Sequence, residues 1–187
     1  MMYLKSLSRV AALLVCVCAV GASVGCGSLP VTRKPYGPGK VAILPTRDVV
    51  QNGEFHKVSP GSGKHFDTQM EAALRGTAYQ PVRVTDGALT HTKLVSKEEA
   101  VAAGKEAGAD YALYVVLGEF LNAAPMSFRP DRATLDSAVM YKTDNGVAVW
   151  KLQRPLHLDK SNLGNHLPLL TRFARLIAAD IAKGGAQ

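Results

Sequence analysis

Three hydrophobic patterns run along this chain: unbroken apolar stretches, strict alternation, and recurrence every three to four positions. Lys40 to Pro45 (KVAILP) is an apolar run closed by proline, the pattern of a short buried strand. A mixed Gly- and Pro-containing stretch, 46–61, reads as loop. Beyond it Phe66, Met70, Ala73 and Leu74 recur at i, i+4, i+7 and i+8, so the spacing predicts an amphipathic helix over 62–75. Ser62 is the expected N-cap and Gly76 the stop. Tyr79 to Thr85 alternates weakly and contains Pro81, whose missing N–H suits an edge strand. Ser96 and Glu99 have the capping-box spacing ahead of a helix to Ala107, with Gly108 just past its end. Tyr111 to Phe120 (YALYVVLGEF) is apolar on both faces and predicts a central strand. Arg132 to Thr143 alternates, Asp144-Asn145-Gly146 supplies a turn, and Val147 to Leu152 returns as the second arm of a hairpin. Leu167 to Ala182 gathers Leu169, Phe173, Leu176 and Ile177 on one helical face, with Pro168 in its first turn. The expectation is one α/β (α+β) domain over 40–183. Its mixed sheet follows the order β-α-β-α-β-β-β-α, with helices packed over it.

The amino-terminal part has a different grain. Met1 to Arg9 holds Lys5 and Arg9 and no acid, and residues 10–24 carry no charge. Fifteen helical residues span roughly 22 Å, short of the ~30 Å hydrocarbon core, and this stretch ends in small side chains. That is the build of a secretory signal, residues 1–25, rather than of a spanning helix. Gly27 to Gly39 (GSLPVTRKPYGPG) has no apolar period and reads as an extended tether, so that 26–39 would connect the export junction to the domain.

Composition narrows the function classes. The chain has 187 residues, 47% apolar, 20% charged and 6% aromatic, enough for one packed domain and too apolar for disorder. Its formal charge of +7 becomes about +5 once Lys5 and Arg9 are removed. The basic residues are scattered, and the longest cluster is Arg33-Lys34. A nucleic-acid partner is therefore not expected.

The most tempting chemistry is Ser59-Pro60-Gly61-Ser62-Gly63-Lys64, which opens the first helix. A phosphate loop of the Walker type needs a glycine where Val58 stands and a hydroxyl where His65 stands, so a nucleotide site is not expected. Ser62, Gly63 and Lys64 remain candidates for an anion or partner contact at a helix start. Five histidines, at 56, 65, 91, 157 and 166, share no metal-ligand spacing, and no Cys follows position 26. No nucleophile elbow and no specified carboxylate pair is present, so no catalytic residue, metal or cofactor is assigned. Trp150 reads first as a core aromatic and second as an exposed partner contact. Arg129-Pro130-Asp131-Arg132 reads as a salt-bridged corner or as part of a docking surface.

Ser23-Val24-Gly25-Cys26 resembles the lipobox of bacterial lipoproteins, with Ser23 in place of the usual Leu. The resemblance implies cleavage between Gly25 and Cys26 and acylation of Cys26 with chains such as palmitate. A plain secretory cut near Ala22 or Gly25, or an uncleaved anchor, is the other reading of the same residues. Gly27 and Ser28 lack the Asp of inner-membrane retention, which implies lipid anchoring at the periplasmic face of the outer membrane. VAILP, Pro-Gly-Ser-Gly before a helix, Gly108-Ala109-Asp110-Tyr111 and the Asn145-Gly146…Trp150 hairpin resemble a family of uncharacterised proteobacterial outer-membrane lipoproteins. More distantly the layout is similar to the curli-channel, Pel polysaccharide and penicillin-binding-protein-activator lipoproteins and to the TolB amino-terminal domain. These resemblances imply a non-enzymatic envelope lipoprotein, held to the membrane by its lipid and docking an unidentified periplasmic, cell-wall or outer-membrane protein. The alternative is a periplasmic small-anion binder or enzyme using the loop at 59–65.

Overall fold

The apolar run expected at the centre of the sheet is found there. The computed structural model describes residues 29–34, 36–48, 61–85, 89–121, 131–160 and 167–184. Their elements are β1 (Val31–Arg33), β2 (Lys40–Ile43), α1 (Ser62–Arg75), β3 (Gln80–Arg83), α2 (Lys97–Glu106), β4 (Tyr111–Leu121), β5 (Asp131–Lys142), β6 (Ala148–Leu152), β7 (Leu156–Lys160) and α3 (Leu167–Gly184). The sheet runs β1-β6-β5-β4-β2-β3, and β7 pairs with β5 beyond β6. β2 lies parallel to β3 and β4, because α1 and α2 carry the chain back between them; the remaining pairs are antiparallel.

Each face of the sheet has its own cover. Phe66, Met70 and Leu74 of α1 and Phe173, Ile177 and Ile181 of α3 close over Ile43, Leu113, Val115, Met140 and Trp150. The opposite face is thinner: Val95 and Ala100 lie on Ala42, Leu44, Ala112 and Tyr114. α2 approaches so closely that a Cβ added at Gly104 would meet the Ala112 Cβ at 2.9 Å. Pro81 sits on β3, which is an edge strand as its sequence predicts. The Ser96–Glu99 capping box forms in full, and Lys93 with the Ser96 N–H holds the Glu99 carboxyl down at about 2. β5 flanks β4 to Leu121, and β2 with the Arg47 bridge flanks its other edge as far as Leu117, so the amides of residues 111–117 should exchange with solvent most slowly, well after those of β3. Exchange in β4 as fast as in β3, read residue by residue, would refute that placement.

Two strands lie outside the sequence expectation. β7 is a period-2 segment in which Leu156 and Leu158 pack against the core. β1 falls within the stretch expected to be tether. Val31 pairs with Leu152 and the Gln153 N–H donates to the Pro30 carbonyl at 2.6 Å. Leu29 and Val31 pack against the main core, so the folded unit reaches upstream of Lys40. A polar clamp secures this strand. Asp180 of α3, 3% exposed, accepts from the Arg33 guanidinium and, at 2.8 Å, from the Trp150 indole N–H. The Tyr36 hydroxyl donates to the Ile181 carbonyl at 3.0 Å.

Candidate functional site

The start of α1 is built differently from the expectation. Gly61, not Ser62, occupies the cap position, at φ 88°, which favours glycine, and it makes no side-chain cap. Ser62 is buried inside the first turn. The capping acceptor is Asp48, brought from the loop after β2. It takes the Gly61 N–H at 3.2 Å, the Gly63 N–H at 2.5 Å and the Ser62 hydroxyl. The donors that an incoming anion would need are thus already held by the protein's own carboxylate, which also sits favourably at the positive end of the helix. Gly63 is required by close approach, since a Cβ there would fall 2.2 Å from the Thr46 carbonyl oxygen.

One turn further along α1, Asp67 is 4% exposed and accepts the Thr46 N–H at 3.2 Å. His91 lies across from it. Its Nδ1 is 2.8 Å from the Thr46 carbonyl, which can only accept, so Nδ1 carries the proton and Nε2 faces Asp67 at 3.8 Å. Burial pushes the Asp67 carboxyl up to about 6, against the opposing pull of Thr46 hydrogen bonding, His91 and Arg83. These two groups line a cleft of about 470 Å³ at the carboxyl ends of β2 and β3. Lys64 and Arg83 give it a cationic side, and Pro45, Val84 and Leu89 an apolar wall. Ligands of parallel sheets collect at this end of the strands. The buried Asp67 carboxyl, facing the imidazole, can take up a proton near pH 6. The Ser62 hydroxyl is held by Asp48 rather than by the imidazole. Among the described residues no three His, Cys, Asp or Glu side chains are grouped to hold a metal ion.

Of the candidate contact residues that are described, only Lys64 lines this cleft. Ser62 and Gly63 are interior. Arg132 donates to Asp159 of β7 at 2.8 Å, the salt-bridged alternative, on a different part of the sheet. Trp150 is fully buried under α3, so its reading as an exposed contact is corrected in favour of the core. Gly25, Cys26, Arg129 and His56 lie outside the described residues. Sequence reasoning missed Asp48, Asp67, Arg83 and His91. One signal was present: Asp67 falls on the same stripe as Met70 and Leu74, where a carboxylate is out of place.

No protein-family model matches this sequence, and no curated protein does. Solved structures do match. The PelC dodecamer from Paraburkholderia phytofirmans aligns with a TM-score of 0.59 at 16% identity, covering 84% of this chain and 96% of that one. The fold is that of PelC. A DUF330 protein from Xanthomonas campestris aligns at 0.51 and 12% identity, over 82% of this chain and 91% of its own. The lipoprotein GNA1162 from Neisseria meningitidis gives 0.47 at 14% identity, over 78% and 99%. The PelC likeness agrees with the resemblance to the Pel lipoprotein, and at these identities it is a likeness of fold. Among the described residues no helix is long and apolar enough to cross a membrane.

Proposed function

We propose that this chain is a lipid-anchored envelope lipoprotein that docks a protein partner at the periplasmic face of the outer membrane and catalyses no reaction. The observation that carries this reading is how directly the export junction joins the fold. Leu29 already packs on the core three residues after Cys26, so an acyl chain on that cysteine would hold the whole domain at a membrane surface. PelC is a dodecamer, which supports the view that a domain of this fold acts through its surface. The competing reading, an anion binder or enzyme using the loop at 59–65, would need the N–H groups that Asp48 occupies.

Cys26→Ser should abolish palmitate labelling and move the protein from the membrane to the soluble fraction. Unchanged labelling and fractionation would sink the anchor. Crosslinking the lipidated protein in whole envelopes should then capture a defined protein band that the Cys26→Ser form does not.

A further inference from the structure

The cleft at the carboxyl ends of β2 and β3 has a positive and a negative pole, and the two are not spent on each other. Lys64 and Asp67 stand three positions apart on one face of α1, a spacing that puts β-carbons about 5–6 Å apart, and both line the cleft. Yet neither Lys64 nor Arg83 forms an ion pair with Asp67, or with any other carboxylate among the described residues. The Arg83 guanidinium is held instead by the Lys64 carbonyl at 3.1 Å and the Thr68 hydroxyl at 2.6 Å. Both bonds are made by Nη2, which leaves the donors of the other two nitrogens unused among the described residues. The positive pole is thus one fixed cation and one mobile one.

The negative pole is a pair of acceptors. With Nδ1 donating to the Thr46 carbonyl, the neutral His91 ring turns the lone pair of Nε2 toward Asp67 Oδ2, 3.8 Å away. That oxygen otherwise has a 3.5 Å contact with the Thr46 N–H. Two acceptors cannot bond to each other, but both can accept from one group about 2.9 Å from each, provided it carries two donors. A hydroxyl carries one; an ammonium carries three. Burial disfavours the Asp67 anion, which therefore gains from a cation brought to it. Pro45, Val84 and Leu89 complete an apolar wall in a volume of about 470 Å³. An ammonium and a carboxylate on one carbon, with an aliphatic branch, complement these three features together. We propose that the cleft binds a free aliphatic α-amino acid, with its ammonium on Asp67 and His91, its carboxylate on Lys64 and Arg83, and its side chain on the apolar wall. The site is separate from the Gly61 and Gly63 amides that Asp48 holds, and it does not depend on acylation of Cys26.

Calorimetric titration of the full chain in mild detergent tests this, at a pH above the range in which Asp67 titrates. The probes are L-leucine, D-leucine, 3-methylbutylamine, which lacks the carboxylate, and 4-methylpentanoate, which lacks the ammonium. At least one leucine enantiomer should bind saturably with a Kd below about 1 mM, and each single-charge analogue at least about tenfold more weakly. Lys64→Gln should weaken leucine about five- to tenfold and the amine not at all. Asp67→Asn should weaken leucine at least about tenfold and 4-methylpentanoate not at all. Lys64 is exposed and asparagine keeps an acceptor for the Thr46 N–H, so both variants should fold, which melting curves check. If Asp67→Asn does not fold, the four probes against the parent and Lys64→Gln still decide. No saturable binding of either enantiomer up to about 10 mM overturns the proposal. So does 4-methylpentanoate or inorganic phosphate binding as tightly as leucine, which would make the cleft a plain anion site. Leucine binding that neither variant changes would place the ligand elsewhere on the molecule and overturn it equally.

Discussion

Asp67→Asn is expected to stabilise the protein at neutral pH and to flatten its stability between about pH 4 and pH 6. The folded carboxyl titrates near 6, above its ordinary 3.8, because burial disfavours the anion. The folded chain therefore binds this proton more tightly than the unfolded chain does. The stabilisation that follows is complete below the ordinary value, declines as pH rises, and is gone above about 6. At pH 7 the buried anion costs on the order of 1–3 kcal/mol, the upper figure being the whole shift at about 1.36 kcal/mol per unit. Asparagine keeps an acceptor for the Thr46 N–H and removes the charge. Urea unfolding at pH 4 and pH 7 checks this: the variant should gain at pH 7 and match the parent at pH 4. Equal destabilisation at both would show that the carboxylate is structural and not a strained group held at a site.

Asp180→Ala should lower stability by about 3 kcal/mol and the melting temperature by about 6–12 °C. The loss is large because two donors depend on one carboxylate. Arg33 reaches partly into water and recovers some hydration, but the Trp150 N–H lies in the core and has no other acceptor among the described residues. Asp180→Asn, which keeps an acceptor and loses the charge, should fall between the two. Amide exchange at Val31–Arg33 should accelerate more than at β4, since the clamp holds β1 to α3. A melting temperature within a degree of the parent would remove the clamp from the account of the fold.

The type and chain order of the elements followed from pattern alone wherever the pattern was long. The apolar run of β4, the hairpin turn and the helical stripes each admit one reading. Short strands escaped for a physical reason: three residues, Val31–Arg33, carry too few positions to show a period, and Pro and Gly around them pointed to a tether. β7 did alternate, but through a Leu-His-Leu-Asp segment whose inward side is only half-buried. The cleft was mostly illegible. Asp67 betrayed itself by standing on an apolar stripe, whereas Arg83, His91 and Asp48 come from three loops or strand ends that only the folded chain brings together. The Gly-rich loop drew attention to the right helix but to the wrong acceptor, since the cap comes from Asp48 rather than from the adjacent Ser62.

The pairing of the first strand has a consequence for the timing of assembly. Arg33 and Asp180 are 147 positions apart, and β1 lies on β6, the eighth of the ten described elements. For a chain delivered amino end first, β1 has nothing to pair with until residues beyond 152 have emerged, and its clamp closes only with the last helix. Closing so long a loop is entropically the latest step as well as the longest. Through most of synthesis the residues from Leu29 to Arg33 therefore have no partner strand, and they join the folded surface only after α3 has formed.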